Sequence, residues 1–235
     1  MPTAEEKFVD VACWSCAAPV VHAQLFCASC GKVQPAHSGA DYFEVFGLSR
    51  KLAIDTASLE REFYRLSRRL HPDVYTRASE QEQDWSLRNA SLLNDAYRTL
   101  KEPIARTEYF LRLEGVEIQG EGKQASDRKS PSRVPDDLLE EVFELNMQLE
   151  EMRMTRKTGD DDPDLRQDLL TAKQQFEAQL AETDNFIQQL WQEWDETFAS
   201  NFDFGDQIKQ RMAAALDRRR YIRNLVRDVN ETLDT

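Results

Sequence analysis

The sequence predicts an all-α protein, in which a helical domain is followed by an antiparallel three-helix bundle and preceded by a small cysteine-containing module. Three observations support this prediction. Apolar residues recur at spacings of three and four along most of the chain, as they do on one face of a helix. Only 8 glycines and 8 prolines occur in 235 residues, so few positions interrupt the helices. All 4 cysteines lie before residue 31.

The cysteines form two C-x-x-C pairs at the start of the chain. Cys13 and Cys16 make the first pair, and Cys27 and Cys30 make the second. Two such pairs can bring four thiolates into tetrahedral reach of a single Zn²⁺ ion. We therefore predict a zinc-ribbon-like module over residues 1–38 that holds one structural zinc ion per chain. Two disulfides, four free thiols, or an iron–sulfur cluster on the same thiolates are the alternatives.

A helical domain is predicted after the module, over residues 40–114. Its helices are expected over about 41–48, 57–70, 80–100 and from 103 onward. Gly47 ends the first helix, Asp55 and Thr56 are candidate caps of the second, and Pro103 begins the last. Residues 115–135 are rich in Gly, Ser, Lys and Asp and lack periodicity, which is typical of a linker.

The second predicted helix ends at His71-Pro72-Asp73. Pro72 fixes its own φ, lacks an N–H donor and disfavours the helical conformation at His71. Four arginines share one face of the helix before this stop: Arg61, Arg65, Arg68 and Arg69. The last three lie four, seven and eight residues after Arg61, which places all four on the same side of a helix. Because the basic face is small, we expect an acidic protein surface rather than a nucleic acid to be its partner.

The C-terminal region, residues 136–235, contains three helical patterns that are joined by short connections at 157–163 and 200–205. Short connections make neighbouring helices antiparallel, so these patterns predict a three-helix bundle. Residues 136–200 hold 18 acidic and 5 basic side chains, which equals the whole net charge of −13. Such acidity argues against strong binding to a phosphate backbone.

The first bundle helix carries an apolar row that its core stripe does not need. The core stripe is Leu138, Val142, Leu145, Leu149 and Met152. Leu139, Phe143 and Met147 form a second row, about a hundred degrees around the helix. Either another part of the chain covers this row, or the row is an exposed docking surface for a partner.

The helical domain resembles a J-domain. The resemblance lies in Asp-Tyr-Phe-Glu-Val-Phe-Gly-Leu at 41–48, in His-Pro-Asp after a basic helix, and in Leu-Asn-Asp-Ala-Tyr-Arg-Thr-Leu-Lys-Glu-Pro at 93–103. With the continuation Pro-Ile-Ala-Arg-Thr-Glu-Tyr-Phe-Leu and the acidic bundle, residues 40–235 resemble the HscB-type co-chaperones of iron–sulfur cluster biogenesis. The paired C-x-x-C motifs look like an N-terminal extension that some members of that family carry.

The resemblance implies a co-chaperone and not an enzyme. Its J-domain would stimulate ATP hydrolysis by a DnaK-type chaperone, which it would contact through His71, Pro72, Asp73 and the arginine face. Its bundle would bind the scaffold protein on which the cluster is assembled. Carried over by position, the scaffold-binding residues are Leu139, Phe143, Glu144, Met147, Glu151 and Tyr221. The sequence departs from the family at Glu140, where an apolar residue is usual, and at Met147, where a glutamate is.

Other functions are left open by the residues themselves. One is a general J-domain co-chaperone for unfolded clients. Another is a zinc-ribbon nucleic-acid-binding protein, although this alternative leaves the acidic bundle unexplained. An enzyme is disfavoured, because no nucleophile or phosphate loop completes a site with His71 and Asp73. Neither a targeting pattern nor a membrane-length apolar run is evident, so we expect a cytoplasmic location and no membrane partner. Self-association is left open.

Overall fold

The computed structural model of the chain describes residues 11–21, 23–35, 39–116, 118, 135–159, 162–197 and 202–234. A short antiparallel ribbon comes first, formed by β1 (Val11–Ala12) and β2 (Pro19–Val20). The helices that follow are α1 (Tyr42–Val45), α2 (Thr56–Arg69), α3 (Glu80–Lys101), α4 (Pro103–Leu113), α5 (Leu139–Thr158), α6 (Pro163–Thr197) and α7 (Phe202–Asp234). The predicted all-α fold is confirmed. The predicted linker, 115–135, lies mostly outside the described residues.

Local sequence signals set the ends of the first helices. The Asp41 carboxylate accepts from the amide of Glu44, and the Asp55 carboxylate accepts from the amides of Ala57 and Ser58. Ser79 caps α3 in a reciprocal arrangement with the side chain of Glu82. Each cap satisfies N–H groups that the helix itself leaves free, which is worth about 1 kcal/mol. These caps fix where α1, α2 and α3 begin.

The chain divides into two compact units, Met1–Phe110 and Leu111–Thr235. In the first unit, a single hydrophobic cluster joins the cysteine module to α1, α2 and α3. The buried members of this cluster are Leu25, Phe26, Val33, Val45, Leu66, Leu70, Leu93 and Ala96. Leu25, Phe26 and Val33 of the cysteine module therefore pack into the same core as the helices, whereas Val20 packs with Cys13 and Cys27 in a small cluster of its own.

The second unit is the bundle of α5, α6 and α7. Arg211 pairs with Glu193 and Arg219 with Asp184, so residue numbers rise along α7 as they fall along α6. These two helices are therefore antiparallel. The core consists of Leu138, Val142, Leu145, Leu149, Met152, Leu165, Leu169, Phe176, Ile222, Leu225, Val229 and Leu233. The predicted core stripe of the first bundle helix is buried in full.

Within the described ranges, no helix is both long enough and apolar enough to cross a membrane.

Candidate functional site

Two tight turns present the four cysteines. The first is closed by the Ala17 amide, which donates to the Cys13 carbonyl, and the second by the Gly31 amide, which donates to the Cys27 carbonyl, each at 2.9 Å. Gly31 has a φ of +73°, a left-handed conformation that costs glycine no Cβ clash. These turns bring four sulfur atoms within 4.8 Å of one another.

The spacing of the sulfurs fits a single tetrahedral ion. The Sγ atoms of Cys13 and Cys30 are 3.7 Å apart, as are those of Cys16 and Cys27. Bonds of about 2.3 Å from Zn²⁺ to sulfur place two ligands of a tetrahedron roughly 3.8 Å apart. A disulfide needs about 2.05 Å, and all four thiols are free. The cysteines are thus arranged to hold a metal ion.

The surroundings of the cluster shift the pKa values of its thiols in opposite directions, and the thiolate is the form that binds metal. The amide of Ala18 lowers the pKa of Cys16, but hydrogen bonds with the neighbouring cysteines and burial raise it to about 12. Burial raises the pKa of the Cys13 thiol, but hydrogen bonds from the amides of Cys16 and Ser15, together with those of the Cys30 and Cys16 thiols, lower that pKa to about 6. The amide of Cys30 likewise lowers the pKa of Cys27. Four adjacent thiolates repel one another, so a divalent cation among them supplies the charge that lets all four ionise.

His71-Pro72-Asp73 follows the end of α2 as an exposed loop, and residues Pro72–Tyr75 form a single 3₁₀ turn. The side chain of Asp73 is 86% exposed, with its carboxylate 3.4 Å from Nδ1 of His71. The residues at the two ends of the loop, Leu70 and Tyr75, make contacts with the rest of the first unit. The Ser86 hydroxyl donates to the Leu70 carbonyl at 2.8 Å, and Tyr75 packs against the core of the first unit.

The arginine face of α2 leads towards this loop. Arg61 donates to the Ser58 hydroxyl and Arg65 donates to the Glu62 carboxylate, each at 2.7 Å. Both arginines are exposed, as is Arg68. Arg69 differs, because it is half-buried against the cysteine module. This contact was not predicted from the sequence.

The apolar row on α5 is exposed. Leu139, Phe143 and Met147 keep 52%, 68% and 59% of their surface accessible, and Glu144 and Glu151 beside them are also exposed. The described residues of the bundle therefore leave this row uncovered, and the linker that could cover it lies mostly outside the described residues.

Two further side chains bear on the apolar row. Met154 is 55% exposed and extends it by two turns; its offset of seven from Met147 was the available sequence signal. Tyr221, on α7, differs from the other predicted scaffold contacts, because it is half-buried and packs against the bundle core.

Comparisons with known proteins point to one group. No protein-family model matches the chain. It is 34% identical to the human "Iron-sulfur cluster co-chaperone protein HscB" over 142 residues, which cover 59% of this chain and 57% of that protein. The mouse protein of the same name is 28% identical over 226 residues, which cover 93% of this chain and 81% of that protein.

The fold is also shared with a solved structure. The crystal structure of the human co-chaperone HscB matches with a TM-score of 0.62 and 24% identity, over 94% of this chain and 98% of that one. The predicted order of J-domain, three-helix bundle and N-terminal cysteine module is therefore confirmed, and so is the predicted HscB-type resemblance.

Proposed function

We infer that this chain, a relative of the HscB co-chaperones, is itself a co-chaperone of iron–sulfur cluster assembly. It would couple a DnaK-type chaperone to the scaffold protein on which a cluster is built. One observation carries the proposal: a single chain displays an exposed His-Pro-Asp loop on one unit and an exposed apolar row flanked by carboxylates on the other. These are the surfaces that such a coupling needs.

The chaperone side of the proposal depends on the loop and the arginine face. The exposed carboxylate of Asp73 is open to a cationic group of the chaperone, and a charge-assisted hydrogen bond there would be short and strong. Arg61, Arg65 and Arg68 would steer the J-domain towards an acidic chaperone surface. ATP hydrolysis belongs to the chaperone in this mechanism. The chain contributes binding and orientation, over a J-domain that we place at 40–114.

The scaffold side of the proposal depends on α5. Phe143 is the most exposed large apolar side chain of the row and suits the role of an aromatic anchor. Glu144 and Glu151 would form the polar rim, and Leu139 and Met147 would complete the apolar centre. Because Tyr221 packs against the bundle core, we assign it to the edge of this surface.

The metal of the proposal is one zinc ion per chain. Cys13, Cys16, Cys27 and Cys30 would supply all four positions of a tetrahedron, which leaves no open position for a substrate. The ion would therefore be structural.

The central test is stimulation of a DnaK-type ATPase by the purified full-length chain. We expect stimulation by the wild type, loss of stimulation in Asp73→Ala, and full stimulation in Asp164→Ala, which removes an exposed aspartate from the bundle. Equal stimulation by wild type and Asp73→Ala would rule out the proposed chaperone contact.

A second arm of the test adds either an iron–sulfur scaffold or a denatured client to the assay. We expect extra stimulation from the scaffold alone, and none from the scaffold in Phe143→Ala. Extra stimulation by the denatured client instead would favour a general J-domain co-chaperone. The cytoplasmic location expected from the sequence belongs to the same proposal.

A further inference from the structure

The second cysteine turn touches a residue of the proposed chaperone-binding face. The guanidinium carbon of Arg69 lies 3.7 Å from the centre of the Phe26 ring. Its Nη2 atom is 3.5 Å from the carbonyl oxygen of Gly31, at the long end of the hydrogen-bond range. Phe26 directly precedes Cys27, and Gly31 directly follows Cys30. Arg69 is therefore held by the residues on both sides of one C-x-x-C pair.

The same turn also packs beneath the His-Pro-Asp loop. Phe26 and Val33 pair across the turn and share a buried cluster with Leu70, the residue before His71. Tyr75, at the end of the loop, packs against this cluster as well. Both ends of the loop are thus anchored in a core to which the cysteine module contributes.

A polar chain connects a metal ligand to the helix that follows the loop. Gln34 donates from its side-chain Nε2 to the Cys13 sulfur at 3.4 Å. The backbone carbonyl of Gln34 accepts from the side-chain Nδ2 of the buried Asn89 on α3 at 2.8 Å. Lys32 forms an ion pair with Glu82 at the start of α3, at 2.7 Å. Because Glu82 also completes the cap at Ser79, this pair adds a further fixed point near the loop.

We propose that the cysteine module is a positioning element for the chaperone-binding face: when it holds its metal, Phe26 and Gly31 fix Arg69 in the orientation that meets the chaperone. Stacking on a ring covers one face of a guanidinium and leaves N–H groups at its edge available for an acidic partner. An arginine that is already ordered loses less side-chain freedom on binding. The metal would then raise the affinity for the chaperone without contacting the chaperone itself. This inference depends on the proposed function only for the identity of that partner.

The test is a double-mutant cycle between Phe26 and Arg69 in the full-length, zinc-loaded chain. Phe26→Leu keeps an apolar side chain in the core and removes the ring. We expect it to weaken chaperone affinity about threefold to tenfold at low salt, the range of a partly desolvated cation–π contact. In the Arg69→Ala background, Phe26→Leu should have no further effect.

A matched control is Phe63→Leu, which makes the same change on α2. Phe63 packs at the edge of the same cluster and stacks on Tyr97, with ring centres 4.1 Å apart. We expect wild-type chaperone affinity from this variant. An equal loss in Phe63→Leu and Phe26→Leu, or an equal effect of Phe26→Leu with and without Arg69, would overturn the inference.

A second measurement does not need the chaperone. NMR relaxation of the Arg69 Nε–H group should show an ordered side chain in the zinc-loaded protein, and a mobile one in Phe26→Leu and after chelation. An Arg69 side chain that is equally ordered in all three states would overturn the inference. Should the wild type fail to bind any DnaK-type chaperone, the proposed function fails, and the relaxation result still decides whether the module positions Arg69.

Discussion

At the scale of single residues, two side chains on opposite faces of α5 have contrasting environments. Phe143 is 68% exposed, whereas Leu145 is 1% exposed and lies in the bundle core. Phe143→Ala should change the free energy of unfolding by less than about 0.5 kcal/mol, because it removes few packed contacts. The same change should weaken scaffold binding by about 2 kcal/mol or more, as for an aromatic anchor. Urea unfolding and calorimetric titration measure the two effects.

Leu145→Ala is the matched control, two residues further along the same helix and on its buried face. It should cost about 2–5 kcal/mol of stability through the cavity that it leaves. Scaffold affinity of the molecules that stay folded should be unchanged. A collapse of stability in Phe143→Ala would show instead that the apolar row supports the fold.

Tyr109 gives the first unit a dependence on alkaline pH. Burial raises the pKa of Tyr109 to about 12, although the amide of Tyr42, which donates to its hydroxyl at 2.9 Å, opposes the rise. Because this pKa is raised from an ordinary value of 10.0, the unfolded chain loses the phenol proton first. The stabilisation is therefore complete below about pH 10 and is lost as the pH rises from about 10 to 12.

Tyr109→Phe tests this dependence. The difference in unfolding free energy between wild type and variant should be constant at neutral pH and should shrink between about pH 10 and 12. Unfolding in urea at several pH values provides the measurement, and the absorbance of tyrosinate follows the proton directly. A difference that stays constant up to pH 12 would contradict the raised pKa.

At the scale of elements, α5 ends because Gly159 adopts a left-handed conformation. Its φ is +82°, and its amide donates to the Arg156 carbonyl at 3.1 Å. Apart from its two chain neighbours, no described residue has an atom within 4 Å of the place where a Cβ would stand, so a substitution there meets mainly backbone strain. Gly159→Ala should cost about 1–2 kcal/mol, and Gly159→Asn clearly less, since asparagine tolerates this conformation. Thermal unfolding of the two variants side by side measures the difference.

The ends of the helices could be predicted because they are encoded locally. The sequence places the second helix over 57–70 and the third over 80–100, and the structure has Thr56–Arg69 and Glu80–Lys101. Asp55 and Pro103 mark helix ends through capping and through proline geometry, which need no tertiary information. The spacing of the cysteines likewise predicted that the four thiols lie together, as they do in the structure.

The packing of the cysteine module on α3 could not be predicted, because part of the contacting face of α3 is polar. Glu82, Ser86 and Asn89 are buried, and each side chain makes a hydrogen bond to a residue distant in sequence. Among the buried side-chain atoms described on this face, only Oδ1 of Asn89 has no hydrogen-bond partner. Hydrophobic periodicity counts apolar positions only, so a face whose polar groups are paired by another element resembles a solvent face. Tyr221 is a different case. The family resemblance predicted that it lies at the docking surface, and its position next to the core stripe of α7 did not by itself show that its side chain is half-buried against the bundle core.

At the scale of the whole molecule, each unit has a buried cluster of its own among the described residues. The cluster that contains Phe26 and Leu70 shares no residue with the cluster of the bundle. We expect about one zinc ion per chain by metal analysis. Chelation should then lower hydrogen-exchange protection in α2 and α3, because the module shares their core, and should leave protection in α6 unchanged.

Cys13→Ser should reproduce the effect of the chelator, since it removes a ligand without touching the bundle. Lost protection along α6 on metal removal would contradict the separation of the two cores. Unchanged protection in α3 would show instead that the helices of the first unit hold together without the module.

The carboxylates beside the apolar row also affect the solubility and self-association of the chain when no partner is bound. Glu140, Glu144 and Glu151 stand exposed around Leu139, Phe143 and Met147, in a chain whose net charge is −13. Two copies that approach row to row bring like charges within a Debye length, about 8 Å at physiological salt, before any apolar surface can meet. A partner with basic residues around its own apolar patch meets attraction in the same place. The dispersing charge fades near the isoelectric point of about 4.8, so the chain should be least soluble there.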